Sequence, residues 1–180
     1  MEFDLSIISH VRMGCVYIIM WHSIALPAQQ EEAMERVLFY AGEFGYVFSN
    51  FSAFMVDWAC CTWMTSEHAY QAAKFDDPYI IDEIHAARSA YDALMLARKY
   101  ENRIRPGWHD QKIDVMLSII RAKLVQHEYV QKQLRKSGSA ELIENSEKDS
   151  FWGRGPDWKG ENMLGKLWMQ LRQEYYPEVC

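Results

Sequence analysis

Residues 65–75 read TSEHAYQAAKF, and this stretch decides both the local fold and the first candidate site. Thr65 and the serine after it supply hydroxyl groups that cap a helix, and Glu67 adds the negative charge that a first turn favours. The stretch therefore predicts a helix that begins at about Glu67. In that helix Glu67, Gln71 and Lys74 lie on one stripe, at i, i+4 and i+7. Spacing alone leaves two interpretations open: a solvated polar face, or an acid, an amide and an amine that face one ligand.

Short aromatic or β-branched runs lie on the amino-terminal side of this helix and predict strands. They are Val37–Tyr40, Phe54–Trp58 and Cys61–Met64, and we expect them to form one small sheet. Cys60 and Cys61 are adjacent, and we expect both to be small buried hydrophobic residues rather than a redox pair. These predictions place the strands beside the helix that carries Glu67.

The rest of the chain is predicted to be mainly helical. Capping residues and apolar periodicity predict five helices: one that opens after Asp77-Pro78, then Ser89 to about Tyr100, about Trp108 through Leu124, a helix that reaches Lys136, and about Glu161 to Glu174. Glu141–Asn145 indicates a short strand, and Ser146–Gly160 a loop. The fold class that follows is α+β, predominantly helical, a single domain with a small sheet packed on several helices.

Composition restricts the classes of protein that fit. The chain has 180 residues, 49% of them hydrophobic, which suffices for one buried core. A net charge of −6 argues against an extended nucleic-acid surface, which needs many Lys and Arg residues. Four cysteines in no C-x-x-C pair favour a reduced, cytoplasmic protein. The apolar run near Cys15 is shorter than a membrane span, so we expect no membrane partner.

The amino-terminal part of the chain differs from the rest. We interpret residues 1–36 as an extension, with Met34 as an alternative start, and residues 37–176 as the domain. Residues 27–32 have the composition of a linker, and the first predicted strand follows them. A start at Met34 would still leave a whole domain.

Two further places carry candidate chemistry. The loop Ser146–Gly160 holds Asp149 and Trp152 among glycines, a composition that suits either a ligand pocket or a surface loop whose tryptophans fill the core. Asn50 lies between aromatic residues, and Trp108 lies at a helix entrance where it could stack on a base. Core packing explains these last two residues equally well.

Several of these segments, taken in order, resemble the NADAR domain family, also called YbiA-like, over about Val37 to Arg172. The resemblance rests on two specific blocks, E-H-x-Y-Q-x-x-K-F at residues 67–75 and W-G-x-G followed by G-x-N-x-L-G within residues 152–165. Phe48-Ser49-Asn50-Phe51, Trp108, Ala122-Lys123, Glu144 and Asp149 also follow the family order. The chain departs from the pattern at Gly107, where the family has an acidic residue, at Leu124 and at Ser137.

The resemblance implies an N-glycosidase that hydrolyses the bond between ribose C1′ and a nitrogen. Implied substrates are early aminopyrimidine ribosyl phosphates of riboflavin biosynthesis, or ADP-ribose attached to guanine. Position by position, the family's functional residues fall on Glu67, Trp108, Asp149 and Trp152, with Lys74 and Asn50 as supporters. We therefore predict that Glu67, Asp149 and Lys74 are catalytic. The residues that we predict to bind the substrate are Trp108, Trp152, Asn50, Gln71, Arg98 and Asn162. No metal or organic cofactor is implied, and the partner is a small phosphorylated ribosyl compound or an ADP-ribose adduct.

The chemistry of such a reaction assigns roles to these residues. Glu67 would activate water or support the oxocarbenium ion, while Asp149 would protonate the departing nitrogen or orient the ribose hydroxyls. Trp108 would stack on the base or close the pocket. Alternatively, a neutral Lys74 amine would attack C1′ and form a Schiff base with the opened sugar.

Two other functions also fit the sequence. One is a non-catalytic module that binds ADP-ribose or nucleotides through the aromatic residues. The other is an inert structural partner domain, in which residues 1–33 carry the interface.

Overall fold

The computed structural model describes residues 35–39 and 45–179. Its strands are β1 (Arg36–Phe39), β2 (Val56–Trp58), β3 (Cys61–Trp63) and β4 (Glu141–Glu144). Its α-helices are α1 (Ser66–Ala72), α2 (Pro78–His85), α3 (Ala90–Lys99), α4 (Trp108–Gln126), α5 (Glu128–Lys136) and α6 (Met163–Tyr175). The predicted α+β class with a helical majority is therefore confirmed. The predicted extension lies outside the described residues except at positions 35 and 36, and β1 begins at Arg36.

The expectation of one small sheet is wrong, because the strands form two separate pairs. β2 pairs with β3 as an antiparallel hairpin, whereas β1 pairs with β4 in parallel, with Arg36 opposite Glu141 and Phe39 opposite Glu144. The paired residues of β1 and β4 are 105 positions apart. A parallel pair needs a long crossover connection, so neighbouring strands in the sequence cannot supply it.

The prediction that Cys60 and Cys61 are buried is also wrong. Both are exposed, because the β2–β3 hairpin turns at Ala59 and Cys60. These two residues have φ angles of 51° and 64°, as a two-residue hairpin turn requires. The pair therefore lies at the tip of the hairpin and not in the core.

The predicted helix starts are confirmed by their caps. The Thr65 hydroxyl accepts from the His68 N–H, the Asp77 side chain accepts from the Tyr79 N–H, and the Ser89 side chain accepts from the Asp92 N–H. Helix α4 begins at Trp108 after Gly107, whose φ is +74°. Glycine adopts that left-handed conformation without the strain that a side chain would add.

Helix α6 begins at Met163, two residues later than predicted, because the Asn162 side chain forms hydrogen bonds with the backbone of β4. The Asn162 Oδ1 accepts from the Glu144 N–H at 2.9 Å, and its Nδ2 donates to the Leu142 carbonyl at 2.8 Å. A Cβ atom at Gly165 would lie 2.0 Å from that same Leu142 carbonyl oxygen. The first turn of α6 therefore packs against β4 at backbone contact distance, which only glycine permits.

The core lies between α4, α6 and the aromatic residues that precede α1. Large side chains that are fully buried include Phe39, Phe48, Ile120, Leu124 and Trp168. Apolar burial of this kind supplies the main favourable contribution to folding. Within the described residues, no helix is long and apolar enough to cross a membrane.

One charged side chain lies in this core. Lys123 of α4 is 0% exposed, and its Nζ donates to the carbonyl oxygens of Val47 and Ser49 and to the Ser52 hydroxyl, at 2.5, 3.0 and 2.6 Å. Three ammonium donors thus meet three acceptors of one loop. Burial lowers the pKa of Lys123 to about 7. Lys123 therefore holds the loop at residues 47–52 to α4 through three hydrogen bonds.

We expect Lys123→Met to lower the free energy of unfolding by about 2–4 kcal/mol, because the acceptors of the loop lose their donor in a dry environment. Urea denaturation followed by circular dichroism measures this change. Lys132→Met, at an exposed position of α5, is the matched control and should change stability by less than about 0.5 kcal/mol. Equal unfolding midpoints for both variants would contradict the role given to Lys123.

Candidate active site

The polar stripe of α1 is buried, which excludes the interpretation as a solvated face. Glu67 is 6% exposed and Gln71 is 3% exposed, and the Gln71 Nε2 donates to the Glu67 Oε1 at 2.7 Å. Lys74 is half-buried, with its Nζ 5.2 Å from the centroid of the Tyr70 ring. The stripe therefore presents its acid, amide and amine to the interior of the domain.

Burial changes the protonation of this stripe. Loss of water raises the pKa of Glu67 to about 7, and the charge of Asp149 adds to the increase, while the Gln71 hydrogen bond and the Lys74 charge oppose it. Burial also lowers the pKa of Lys74, against the attraction of Glu67. A carboxyl group that titrates near neutral pH can exchange protons at working pH, as acid–base catalysis requires.

Asp149 comes to this stripe from the loop between β4 and α6. Its Oδ1 accepts from the N–H groups of Phe151 and Trp152 at 2.9 and 2.8 Å, which fixes the carboxylate at the start of a turn. Its charge acts on both Glu67 and Lys74. The structure thus brings the two predicted carboxylates, from distant parts of the sequence, into one electrostatic environment.

Aromatic rings join the segments around these carboxylates. The Tyr70 ring lies 5.2 Å from the Trp108 ring and 5.5 Å from the Trp152 ring, centroid to centroid. Trp108 is 4% exposed, whereas Trp152 is half-buried. Tyr70 therefore links α1, α4 and the late loop, and both predicted tryptophans lie next to the acidic stripe.

Cationic side chains lie close to aromatic rings of this region. The Arg105 guanidinium lies 5.5 Å from the Trp108 ring centroid, and the Lys112 Nζ lies 3.3 Å from that of Phe151. Arg98 is exposed on α3, and its charge lowers the pKa of Glu67. With Lys74, these groups give the edge of the site a positive character.

Two of the predicted binding residues have contacts that position other groups. The Asn50 backbone carbonyl accepts from the Glu67 N–H at 3.1 Å, and its Nδ2 contacts the Met116 sulfur at 3.4 Å. The Asn50 Oδ1 is buried and has no hydrogen-bond partner. Asn162, in contrast, uses both ends of its amide on β4. Asn50 thus supports the first turn of α1, and Asn162 supports β4.

Sequence reasoning missed Glu144 as a site residue. It is the last residue of β4, and its Oε2 is buried without a hydrogen-bond partner. Burial raises the pKa of Glu144 to about 8, and the charges of Asp149 and Glu67 add to the increase. The signal that could have found it was its place in the family order, five positions before Asp149. The pattern of residues 141–145 predicted only a short strand.

A cavity of about 260 Å³ lies apart from these carboxyl groups, and Arg36, Glu141, Ile143 and Trp158 contribute to its lining. Side chains alternate along a strand, so Glu141 and Ile143 face the side of β4 opposite to Glu144. The cavity is therefore on the other face of the β1–β4 pair. In residues 35–39 and 45–179, no group of three His, Cys, Asp or Glu residues is arranged to hold a metal ion.

Comparisons with known proteins match this arrangement to a family. The NADAR domain profile matches residues 38–175. The chain is 39% identical over 127 residues to "N-glycosidase YbiA" of Escherichia coli K12, covering 71% of this chain and 79% of that protein. It is 34% identical over 154 residues to a "riboflavin biosynthesis protein" of Vibrio vulnificus, covering 85% of this chain but only 42% of that longer protein.

A solved structure agrees with the fold. The NMR structure of E. coli YbiA superimposes with a TM-score of 0.72 at 36% sequence identity, covering 81% of this chain and 87% of that chain. An "N-glycosidase" of Nostoc punctiforme is 39% identical over 130 residues, covering 71% of this chain and 83% of that protein. The likeness in sequence and in structure therefore extends over the same domain.

The raised pKa of Glu67 predicts a pH-dependent stability. A folded pKa above the unfolded one contributes stability that is complete below about pH 4.5 and is lost as the pH rises through about 7. Compared with wild type, Glu67→Gln should therefore gain about 3 kcal/mol between pH 4 and pH 8. Urea denaturation at several pH values measures this difference. Glu128→Gln, an exposed residue of α5, should show none, and parallel curves for Glu67→Gln and wild type would refute the prediction.

Proposed function

The chain belongs to the NADAR domain family, and we propose that it is an N-glycosidase that hydrolyses the bond between ribose C1′ and the nitrogen of a heterocycle. The observation that carries this proposal is the pair Glu67 and Asp149, which share one electrostatic environment beside Trp108 and Trp152. Carboxyl groups suit the positive charge that develops on the sugar, and aromatic rings suit a flat base.

Glu67 is suited to act on water or on the sugar. When the C1′–N bond breaks, its electron pair goes to the nitrogen and C1′ becomes electron-deficient. The Glu67 carboxylate takes the proton of the water whose oxygen bonds to C1′, or supports the cation before water arrives. A pKa of about 7 lets Glu67 be a carboxylate before the reaction and an acid after it.

Asp149 is the second carboxylate of the proposed mechanism. Two backbone N–H groups hold its Oδ1, so the carboxylate keeps one orientation relative to Trp152. It either orients the ribose hydroxyls or delivers a proton to the departing nitrogen. Trp108, which packs on Tyr70, stacks on the base or closes the site over it.

The cationic edge supports a phosphorylated substrate. Lys74, Arg98, Arg105 and Lys112 lie around the aromatic rings, and guanidinium groups bind phosphate by charge-assisted hydrogen bonds. We propose that the substrate is a small ribosyl phosphate, either an aminopyrimidine ribosyl phosphate or an ADP-ribosylated guanine. The name of the Vibrio relative, a riboflavin biosynthesis protein, favours the first.

We expect Glu67→Gln to lower kcat by about 10²–10⁴, the effect of removing one acid–base group, while the fold is retained. Release of free base from each of the two candidate substrates measures the rate, and circular dichroism checks the fold. Glu128→Gln should keep wild-type activity. A loss of less than tenfold would contradict the role of Glu67, and binding of both substrates without turnover by wild type would favour a non-catalytic reader.

Lys74 offers a covalent route that a trapping experiment separates from direct water attack. Its lowered pKa raises the fraction of neutral amine. The amine bonds to C1′ as the C1′–N bond breaks, and the heterocycle leaves with the electron pair and takes up the proton that the amine loses. The sugar ring then opens to a Schiff base, which water hydrolyses to release the sugar. Borohydride added during turnover should then leave a stable mass increment on Lys74, and Lys74→Arg should abolish both the increment and the activity. If turnover proceeds with no adduct, and Lys74→Arg stays active, water attacks directly and Lys74 binds the substrate as a cation.

A further inference from the structure

We propose that Glu144 is a third carboxyl group of the site and supplies the proton that the departing nitrogen takes up. This inference rests on the proposed N-glycosidase function and assigns a proton donor to it. Asp149 is then the carboxylate that orients the ribose. The proposal rests on the convergence of Glu67, Asp149 and Glu144 from three different elements.

The backbone of Glu144 is fixed on every side. Its N–H donates to the Asn162 side chain at 2.9 Å, and its carbonyl accepts from the Arg154 N–H at 3.0 Å. In the β1–β4 pair it lies opposite Phe39, which is 0% exposed. A Cβ atom at Gly153 would lie 3.0 Å from its carbonyl oxygen, so the loop that carries Asp149 packs on it. Such a support holds a side chain in one place, as a catalytic group requires.

The side chain of Glu144 lies on the interior face of β4, within the electrostatic influence of the other two carboxyl groups. Glu144 and the fully buried Leu142 share one face of β4, and this face is turned to the interior. The Glu144 Oε2 is buried and unpartnered, although buried carboxyl oxygens normally have a hydrogen-bond partner. The groups whose charges act on it are Asp149 and Glu67, and both are acids. Among the described residues, the charges that act on its pKa are those of these two acids, so the surroundings favour the neutral, protonated form of Glu144.

The order in which these acids ionise assigns their roles. Burial raises the pKa of Glu67 to about 7 and that of Glu144 to about 8. The Gln71 hydrogen bond and the Lys74 charge favour the ionised form of Glu67, whereas Glu144 lies in the field of two acids, so Glu67 is better suited to be the base and Glu144 the acid. Two carboxyl groups whose environments separate their ionisation form an acid and base pair. Asp149, whose Oδ1 accepts two backbone N–H bonds, already has its donors and is suited to bind hydroxyl groups.

The proton balance of the reaction closes with these three residues. The C1′–N bond breaks, its electron pair goes to the nitrogen, and the nitrogen takes the proton of the Glu144 carboxyl group. The oxygen of water bonds to C1′, and its proton goes to the Glu67 carboxylate. Transfer of that proton from Glu67 to Glu144 restores the starting state.

The test is the pH dependence of kcat/KM for the wild type and four variants. Wild type should show a bell with an acid limb near pH 7 and an alkaline limb near pH 8. Glu144→Gln should lower kcat/KM by about 10²–10⁴ and remove the alkaline limb only. Glu67→Gln should remove the acid limb. Glu144→Asp, which keeps an acid, should retain an alkaline limb and more activity than Glu144→Gln. Glu141→Gln, on the opposite face of β4, should match wild type.

A second measurement needs no turnover. The infrared carbonyl band of protonated carboxyl groups should be stronger in the wild type than in Glu144→Gln, because Glu67 contributes to it in both, and the difference between the two should fade as the pH rises through 8. An alkaline limb that persists in Glu144→Gln together with an infrared band equal to that of wild type, or activity within tenfold of wild type, would overturn the inference. If wild type releases base from neither substrate, the proposed function has failed, and with it the donor role; a band difference that titrates as described then still locates the proton on Glu144.

Discussion

The buried ammonium group of Lys123 joins the longest helix of the described chain to the loop that precedes the polar stripe of α1. It bonds to Val47, Ser49 and Ser52, and this loop presents the Asn50 carbonyl to the N–H of Glu67. The first turn of α1 is thus located by a chain of polar contacts that begins in α4. A buried charge is tolerated only where its donors are all used, and here each has an acceptor. The same geometry that stabilises the loop therefore sets where Glu67 can lie.

The candidate site contains ionisable side chains whose charged forms are disfavoured because they are buried away from water. Glu67 and Glu144 are acids whose ionisation is disfavoured by burial, and Lys74 is an amine whose protonation is disfavoured for the same reason. In water these groups would all be charged at pH 7, and none would exchange protons readily. Removing water brings their titration towards neutrality, and the aromatic rings of Tyr70 and Trp152 contribute to that removal. The burial that moves these pKa values towards neutrality therefore also lowers folding stability at these positions.

Local signals predicted local structure well. The hydroxyl and carboxylate caps at Thr65, Asp77 and Ser89 fixed the helix starts, because each cap satisfies backbone groups within its own turn. The family motifs predicted the NADAR assignment and the α+β fold, both of which are confirmed, and the N-glycosidase class they imply is the one that the relatives carry in their names. Strand pairing was not predictable in this way, since the partner of β1 is 105 positions away.

The residues of the candidate site also differ in how far local sequence patterns predict them. Helical geometry predicted that Glu67, Gln71 and Lys74 lie on one stripe of α1. It did not predict that the stripe is buried, because polar residues at i, i+4 and i+7 are equally compatible with an exposed face. The strand pattern did not identify Glu144, because a four-residue strand does not show which of its residues approaches an acid from another part of the sequence. Asn162 follows the family order, yet its backbone contacts with β4 depend on the αL conformation at that residue, with a φ of 50°.

The parallel pairing of β1 with β4 also means that β1 is translated well before its partner strand. A ribosome adds about 5–20 residues per second, so β1 must wait several seconds for its partner strand to emerge. Until then Phe39 has no opposite strand, and neither Glu144 nor Asp149 exists in the nascent chain. The helices from α1 to α5 can form beforehand from contacts close in sequence. In a nascent polypeptide of this kind, helix formation can therefore precede the pairing of β1 with β4 by several seconds.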